Sequence, residues 1–285
     1  MKEMLFEPKT SGRAVSKEVP TIVFLAGFPD QVKTWSKLSH FFEDDHHVIA
    51  LSLPDYEKCD VSKFWGYSFE EIVDALHKEI ILPAAESSSR LVLVGHDWGS
   101  VVCQLYVERF SPIVDDLVLL DVGTVYNVKE IPVWVPLCQI LYMLHLSLCF
   151  IVSRLSPFLG KLLILLYPWG LIGPCPDAVD NWVKVVSTKS FKVHTCYPYF
   201  RLIGDLIKNG KREQQLMQDG EIKRDHLFCY GTKKRWNFHC ETYVDALKRA
   251  KKSDCVVFKN CGHWLHLTEP KEVSDAIRAY LKKSD

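Results

Sequence analysis

The sequence predicts an α/β fold, with a mostly parallel sheet flanked by helices and one inserted helical segment. Short apolar runs alternate with amphipathic stretches along most of the 285-residue chain, as in a parallel sheet covered on both faces. The long stretch 124–224 lacks strand signals, so we expect it to form a helical cap inserted into the core. With 48% hydrophobic residues and no Gly/Ser- or Pro-rich linker, the chain can bury one large core.

Each element is assigned from its apolar pattern. The predicted strands are Thr21–Ala26, His47–Leu53, Leu91–Gly95, Leu117–Asp121, Leu227–Tyr230 and Cys255–Lys259. The predicted helices are Gln31–Phe42, Ser68–Leu82, Ser100–Arg109, Phe238–Ala250 and Lys271–Lys283. The segment before Thr21 gives no clear strand signal. These assignments divide the chain into a core at 1–123 and 225–285 and a cap at 124–224.

The most informative motif joins the third predicted strand to the helix after it. Gly95-His96-Asp97-Trp98-Gly99 has the G-x-nucleophile-x-G spacing of a strained strand-to-helix turn, in which the glycines allow close packing. A carboxylate at the head of the helix meets the positive end of the helix dipole, and Asp side chains act as covalent nucleophiles. The spacing therefore predicts that Asp97 attacks a substrate carbon and forms an ester. His96 should point away across the turn as a structural hydrogen-bond donor.

This motif resembles the nucleophile elbow of the epoxide hydrolases and haloalkane dehalogenases, which are Asp-nucleophile branches of the α/β-hydrolases. Gly27-Phe28-Pro29-Asp30 resembles the family's oxyanion loop, which implies that the backbone N–H groups of Phe28 and Trp98 hold the oxyanion. Asn260-Cys261-Gly262-His263-Trp264 resembles the loop that carries the family's base. The resemblance implies that His263 activates water against the ester. It spans most of the chain apart from the cap.

The acid that completes the triad is absent from the position that many relatives use. There the sequence has Gly231-Thr232-Lys233-Lys234-Arg235. Asp121, at the end of the strand after the elbow's helix, is the expected replacement, because some haloalkane dehalogenases and the related coelenterazine luciferases place their acid there. A buried His needs such a partner on its second ring nitrogen. Asp225 and Glu241 remain alternative acids, and His266 is a rival base.

The resemblance leaves two reactions open. Opening an epoxide requires an acid to protonate the leaving alkoxide, normally a cap tyrosine, whereas displacing a halide requires N–H donors around the anion. Trp98 fits the halide, but Phe28 stands where dehalogenases often have Asn, which favours the epoxide. The cap stretch CYPYFR resembles the segment around an epoxide hydrolase's acid tyrosine. We expect the acid among Tyr199, Tyr197 and Tyr142.

A catalytically silent member that binds an apolar ligand is the alternative from outside the enzymes. Ala26 stands where epoxide hydrolases usually have His, and the triad acid is displaced. Aligned on Arg201, the position of the acid tyrosine is Phe200. Our prediction is nonetheless an epoxide hydrolase-like enzyme with an Asp97–His263–Asp121 triad, acting on a small hydrophobic substrate without a metal or a cofactor.

Composition restricts the partners and the compartment. Lys+Arg and Asp+Glu balance at 35 each, so there is no basic field to gather nucleic acid. The ten cysteines show no C-x-x-C pair and the N-terminal residues lack a signal-peptide core, which predicts a cytoplasmic protein. Ile131–Ser153 carries no formal charge and is long enough for a transmembrane candidate. The segment 131–173 fits a lid that lines the substrate tunnel, and because it is apolar almost all round, peripheral membrane contact is the alternative. A membrane span is disfavoured, because the chain must return to complete the sheet.

Overall fold

A seven-stranded sheet organises the computed structural model, which describes residues 4–58, 62–124, 131–166, 168, 173, 191–209, 216–218 and 220–284. Its strands are β1 (Lys9–Gly12), β2 (Thr21–Leu25), β3 (His47–Leu51), β4 (Leu91–His96) and β5 (Asp116–Leu120), followed by β8 (Leu227–Gly231) and β9 (Asp254–Phe258). A separate hairpin consists of β6 (Met217–Gln218) and β7 (Glu221–Ile222). The sheet order is β1-β3-β2-β4-β5-β8-β9, and every neighbouring pair is parallel except β1 with β3.

Helices cover both faces of this sheet. α1 combines Phe69–Ala75, the π-helical turn Leu76–Ile81 and Leu82–Ser87. The others are α2 (Trp98–Phe110), α3 (Trp134–Leu155), α4 (Pro157–Leu165), α5 (Tyr197–Asn209), α6 (Glu241–Arg249) and α7 (Pro270–Ser284). Shorter helical segments are Val32–Trp35, Ser36–Ser39, His40–Phe42, Val193–Cys196 and Leu265–Thr268.

The central strands are buried on both faces, which explains their nearly continuous apolar sequences. In β2, Ile22 and Phe24 join one core cluster, which includes Ile277 of α7. Val23 and Leu25 point the opposite way and join the cluster that includes Val102 of α2. Because successive side chains of a strand alternate between faces, each face needs its own apolar set.

Several boundaries differ from the sequence-based expectation. β1 was not predicted because Lys9–Gly12 is exposed throughout and pairs on one side only, so its sequence carries no apolar alternation. The helix predicted at Gln31–Phe42 is three short helical turns. α1 extends past Pro83, which lies in the first turn of its last segment, where a missing backbone N–H costs least. The β6–β7 hairpin lies in the stretch for which only helices were predicted.

The topology gathers several loops at one edge of the sheet. In a parallel sheet the carboxyl ends of the strands share an edge, and ligands bind there. The loops after β2, β4, β5, β8 and β9 carry the motif residues singled out above. From the stretch 124–224, α3 packs against α4 and α5, and its Leu146 and Phe150 are fully buried in the core cluster. The cap is therefore anchored to the core.

Candidate active site

Asp97 occupies the strained turn between β4 and α2. Its φ of 54° and ψ of −124° lie in a backbone region that side chains other than glycine rarely adopt. A Cβ on Gly99 would overlap the backbone carbonyl of Leu25, so only glycine lets the head of α2 approach β2 this closely. The turn therefore projects the Asp97 carboxylate at the positive end of a helix.

One oxygen of this carboxylate is already held by the backbone. The N–H of Phe28 donates a 2.7 Å hydrogen bond to Oδ1 of Asp97. A Cβ on Gly27 would overlap both Oδ1 of Asp97 and the amide nitrogen of Trp98, so Gly27 lets the loop reach the carboxylate. The amide of Trp98 belongs to the first turn of α2, which has no helical acceptor for its N–H groups. Replacing the usual His by Ala26 leaves the Phe28 contact in place.

His263 bridges the two aspartates. Its Nδ1 donates to Oδ2 of Asp121 at 2.6 Å, and its Nε2 lies 3.4 Å from Oδ2 of Asp97. Burial alone would lower the pKa of His263, but the hydrogen bonds and charges of Asp121 and Asp97 outweigh it and raise the pKa to about 9. The structure thus brings together the three residues that the sequence selected.

Lys234 is a member of this group that sequence reasoning missed. Its Nζ lies 2.5 Å from Oδ1 of Asp121, and both side chains are 0% exposed. The N–H of Gly231 donates to the same oxygen at 3.1 Å. Burial by itself would raise the pKa of Asp121, but the Lys234 ammonium and the His263 hydrogen bond hold it well below its usual value. The sequence did contain a signal for this residue, because the loop after β8 has lysines where many relatives have the acid.

Two of the three candidate tyrosines meet above the nucleophile. The hydroxyls of Tyr142, from α3, and Tyr199, from α5, are 2.7 Å apart. The Tyr199 ring lies edge-on to Trp98 at 5.0 Å and to Phe28 at 5.3 Å between ring centroids. Burial and the neighbouring Tyr142 and Asp97 raise the pKa of Tyr199, which therefore keeps its proton.

Tyr197 lies elsewhere. Its ring packs edge-on between Tyr56 and Tyr67, at 6.0 Å and 6.1 Å between centroids, and its buried hydroxyl has no hydrogen-bond partner among the described residues. Phe200 also faces away, against Trp65 and Phe150. Because α5 carries these neighbouring residues on different faces, Tyr199 is the aromatic residue of the CYPYFR stretch that contacts Phe28 and Trp98 beside Asp97.

The rival base and the alternative acids are placed outside the triad. His266 stacks on Trp35, and its Nε2 is 3.1 Å from the Thr34 hydroxyl. Burial and two neighbouring histidines hold its pKa well below the usual value, so the ring is neutral. Asp225 is exposed and accepts a hydrogen bond from Ser253, whereas the exposed Glu241 is the first residue of α6.

A small polar cluster supports the His263 loop from behind. His96 Nε2 donates to the backbone carbonyl of His263 at 3.0 Å, and Trp264 Nε1 donates to Oδ2 of Asp30 at 2.9 Å. Possible metal-ligand atoms of Asp30, His96 and His266 lie within 4.8 Å of one another. Because Asp30 and His96 hold the loop that carries His263 through these bonds, we assign the cluster a structural role.

Comparisons with known proteins identify the family of this chain. A model described as the alpha/beta hydrolase family matches residues 22–276. The chain belongs to that family. Among its relatives, epoxide hydrolase 1 of Caenorhabditis elegans is 23% identical over 295 residues, and the match covers 94% of this chain and 66%, just under two thirds, of that protein. Epoxide hydrolase 3 of Xenopus tropicalis is 24% identical over 285 residues, with coverage of 94% and 72%. Within that family the chain is thus similar in sequence to epoxide hydrolases.

Solved structures extend the likeness to the whole fold. An epoxide hydrolase from Bacillus megaterium, complexed with its product, superposes with a TM-score of 0.68 at 18% identity, covering 97% of this chain and 96% of its own. A thermophilic esterase from Thermogutta terrifontis gives 0.65 at 16% identity, covering 98% and 93%. Because an esterase fits nearly as well as an epoxide hydrolase, this likeness establishes the fold, and the reaction must be argued from the side chains.

Proposed function

We propose that this α/β-hydrolase opens hydrophobic epoxides through an ester intermediate on Asp97. The observation that carries the proposal is the pair of hydroxyls of Tyr142 and Tyr199, 2.7 Å apart. The Tyr199 ring contacts both Phe28 and Trp98, the residues on either side of the Asp97 carboxylate. An epoxide oxygen bound by this pair would place a ring carbon toward Asp97. Acyl transfer from an ordinary ester would have no use for such an acid pair.

In the first step, Oδ2 of Asp97 attacks an epoxide carbon, and the bond from that carbon to the ring oxygen breaks. The released oxygen takes the proton of a tyrosine hydroxyl, so the products are an alkyl ester and a tyrosinate. Oδ1 becomes the ester carbonyl oxygen and remains within reach of the Phe28 N–H. Its position is therefore ready for the next step.

In the second step, His263 takes a proton from water, and the resulting hydroxide adds to the ester carbonyl carbon. The N–H groups of Phe28 and Trp98 stabilise the oxyanion on Oδ1. Collapse breaks the ester bond, the diol oxygen takes the proton from His263, and Asp97 returns its acid proton to the tyrosinate. Ester formation neutralises Asp97, which removes one cause of the raised pKa of His263 and favours the basic form at this stage.

A haloalkane dehalogenase is the second candidate, and one observation favours it. The indole N–H of Trp98 is buried beside the Tyr199 hydroxyl, in a position from which it could donate to a halide. A second donor would be needed beside it, and that position holds Phe28. The tyrosine pair has no role in this reaction, so we rank it second.

Trapping the ester tests the assignment directly. His263→Gln should form the ester but not hydrolyse it, so the intermediate should accumulate on incubation with lipophilic epoxides. Intact-mass spectrometry and peptide mapping would locate an adduct of the epoxide's mass on the peptide that contains Asp97. The control is the double variant Asp97→Asn/His263→Gln, which should give no adduct.

Each outcome has a distinct meaning once circular dichroism establishes that the variants are folded. Adducts from epoxides support the proposal. Adducts from haloalkanes alone would move the assignment to a dehalogenase. The absence of adducts from either panel would contradict both reactions and favour a protein that binds an apolar ligand without turnover.

A further inference from the structure

The cap presents an outer surface on which, within the described segment 131–166, every exposed residue is apolar. On α3, Leu137, Ile140, Leu144, Leu148 and Ile151 recur every three or four residues, which places them on one side of the helix. On α4, Phe158, Leu162 and Leu165 do the same. We call the five α3 residues the outer cap face. Leu144 is 50% exposed and Phe158 is 74% exposed, so they are not core residues that merely reach the surface.

The α4 stripe lies on a different side of the cap. A Cβ on Gly160 of α4 would lie 2.7 Å from the Cβ of Ser153 on α3, so the helices pack in close contact. Ser153 and Gly160 are buried at this contact, and each stripe lies on the side of its own helix away from it, so the outer cap face on α3 and the α4 stripe face in different directions. Soluble monomers rarely expose contiguous apolar patches larger than a few hundred Å². Such a surface therefore requires an occupant.

The chemistry of the surface selects the occupant. Protein interfaces keep a polar rim with hydrogen-bond donors and acceptors, but here the polar and charged side chains of 131–166 are all at least partly buried, including Arg154 and Lys161. A surface in contact with lipid hydrocarbon needs no such hydrogen-bond donors and acceptors. Trp134, which is 47% exposed at the start of α3, is of the type that settles at the boundary between hydrocarbon and water. We propose that the outer cap face inserts into one leaflet of a lipid bilayer.

The same helix is fixed in a way that fits in-plane insertion. α3 is long and apolar enough to cross a membrane by length and composition. Its opposite side, however, carries Leu146 and Phe150, which are fully buried in the core cluster. A helix held along one side by the protein can offer only its other side to lipid. α3 would therefore lie along the bilayer surface, as interfacial helices do.

This placement also narrows the substrate class, a step that rests on the proposed function. Tyr142 lies on α3 and is hydrogen-bonded to Tyr199, so one helix separates the reactive group from the outer cap face. An epoxide dissolved in the bilayer would have a short path to Asp97 without crossing water. The substrates would then be epoxides of lipid-like, membrane-resident molecules.

Flotation of the full chain with pure phosphatidylcholine vesicles, without substrate, tests the contact. Because the outer cap face has no charge, wild-type protein should float equally at low and high salt. Leu144→Glu/Leu148→Glu should lower the bound fraction by about tenfold or more, because each carboxylate must leave water to enter hydrocarbon. The matched control is Val15→Glu/Val257→Glu, at two exposed valines outside the cap, which should float like the wild type.

Other results would overturn the inference. A folded wild-type monomer that fails to float has no such contact. Light scattering that shows a dimer, dissociated by the two cap glutamates, would identify a second copy as the occupant. Binding that needs anionic lipid and disappears at high salt would identify an electrostatic contact instead.

The membrane contact and the reaction can be tested independently. His263→Gln should float normally whether or not it forms an ester. If the reaction occurs and the contact exists, the cap glutamates should slow turnover of vesicle-embedded epoxides but not of small water-soluble ones. If the protein forms the trapped ester in solution but does not float with vesicles, the proposed reaction is supported and the membrane contact is rejected.

Discussion

Asp121 and Lys234 form a buried ion pair behind His263, the proposed base, and replacing them separately and together distinguishes stability from catalysis. Both side chains are fully buried, with Nζ and Oδ1 2.5 Å apart. In Asp121→Asn the ammonium of Lys234 would remain buried beside a neutral amide. Removing one partner of a buried pair costs about 3–5 kcal/mol, because the remaining charge is uncompensated.

The other two variants have different costs. In Lys234→Met, Asp121 keeps the hydrogen bonds from Gly231 and His263, so we expect a loss of about 2 kcal/mol. The double variant Asp121→Asn/Lys234→Met contains neither charge, and replacing both members of a buried pair is often nearly neutral. Its stability should lie within about 1 kcal/mol of the wild type, which gives a coupling energy of about 4 kcal/mol or more.

Catalysis should not recover with stability. The amide in both Asp121→Asn variants offers His263 the wrong hydrogen-bonding partner, so ester hydrolysis should fall by about 10⁴-fold, as when a triad Asp is replaced by Asn. The assays are urea unfolding followed by tryptophan fluorescence and single-turnover decay of the Asp97 ester. A double variant as unstable as Asp121→Asn, or one with restored hydrolysis, would refute the roles given to Lys234 and Asp121.

Two further predictions concern the acid and the base. Tyr199→Phe and Tyr142→Phe should each slow ester formation from epoxides by about 10²-fold or more without slowing reaction with haloalkanes. Tyr197→Phe loses a hydroxyl that has no hydrogen-bond partner among the described residues, so it should leave both rates unchanged, and an equal loss in this variant would contradict the assignment. His263 binds its proton more tightly in the folded state, since its pKa is about 9 instead of 6.5, so its stabilising effect is complete below pH 6.5 and is lost as the pH rises through about 9. Urea midpoints across that range should fall in the wild type, and His263→Gln should lose this component of the decline.

The fold was largely accessible from the sequence because its central strands are buried on both faces. Such strands read as unbroken apolar runs, and β2 through β5 lie within a residue or two of their predicted positions. The exposed edge strand β1 has no such pattern, since only its pairing with β3 holds it in the sheet. The segment 32–42 was predicted as one helix because it has an apolar pattern. Its apolar residues do pack inward, but its backbone divides into short helical turns.

The sequence predicted the relative positions of site residues only where a motif fixes the backbone. Asp97 and His263 lie in turns whose residue spacing constrains the fold locally. The meeting of Tyr142 with Tyr199 depends instead on how α3 packs on α5, which no local pattern encodes. The same holds for Lys234, which lies far from Asp121 in the sequence. The sequence showed only that its loop lacks the acid that many relatives carry there.

The pairing of β5 with β8 explains why this missing acid does not weaken the site. These strands are neighbours and parallel, so their carboxyl ends lie side by side, and a histidine can receive its partner from either one. Here β5 leads to the acid, Asp121, whose φ of 67° turns its carboxylate toward His263. The loop after β8 supplies the counter-charge, Lys234, to the other carboxylate oxygen. The loop that differs from the relatives is therefore part of the charge arrangement around His263.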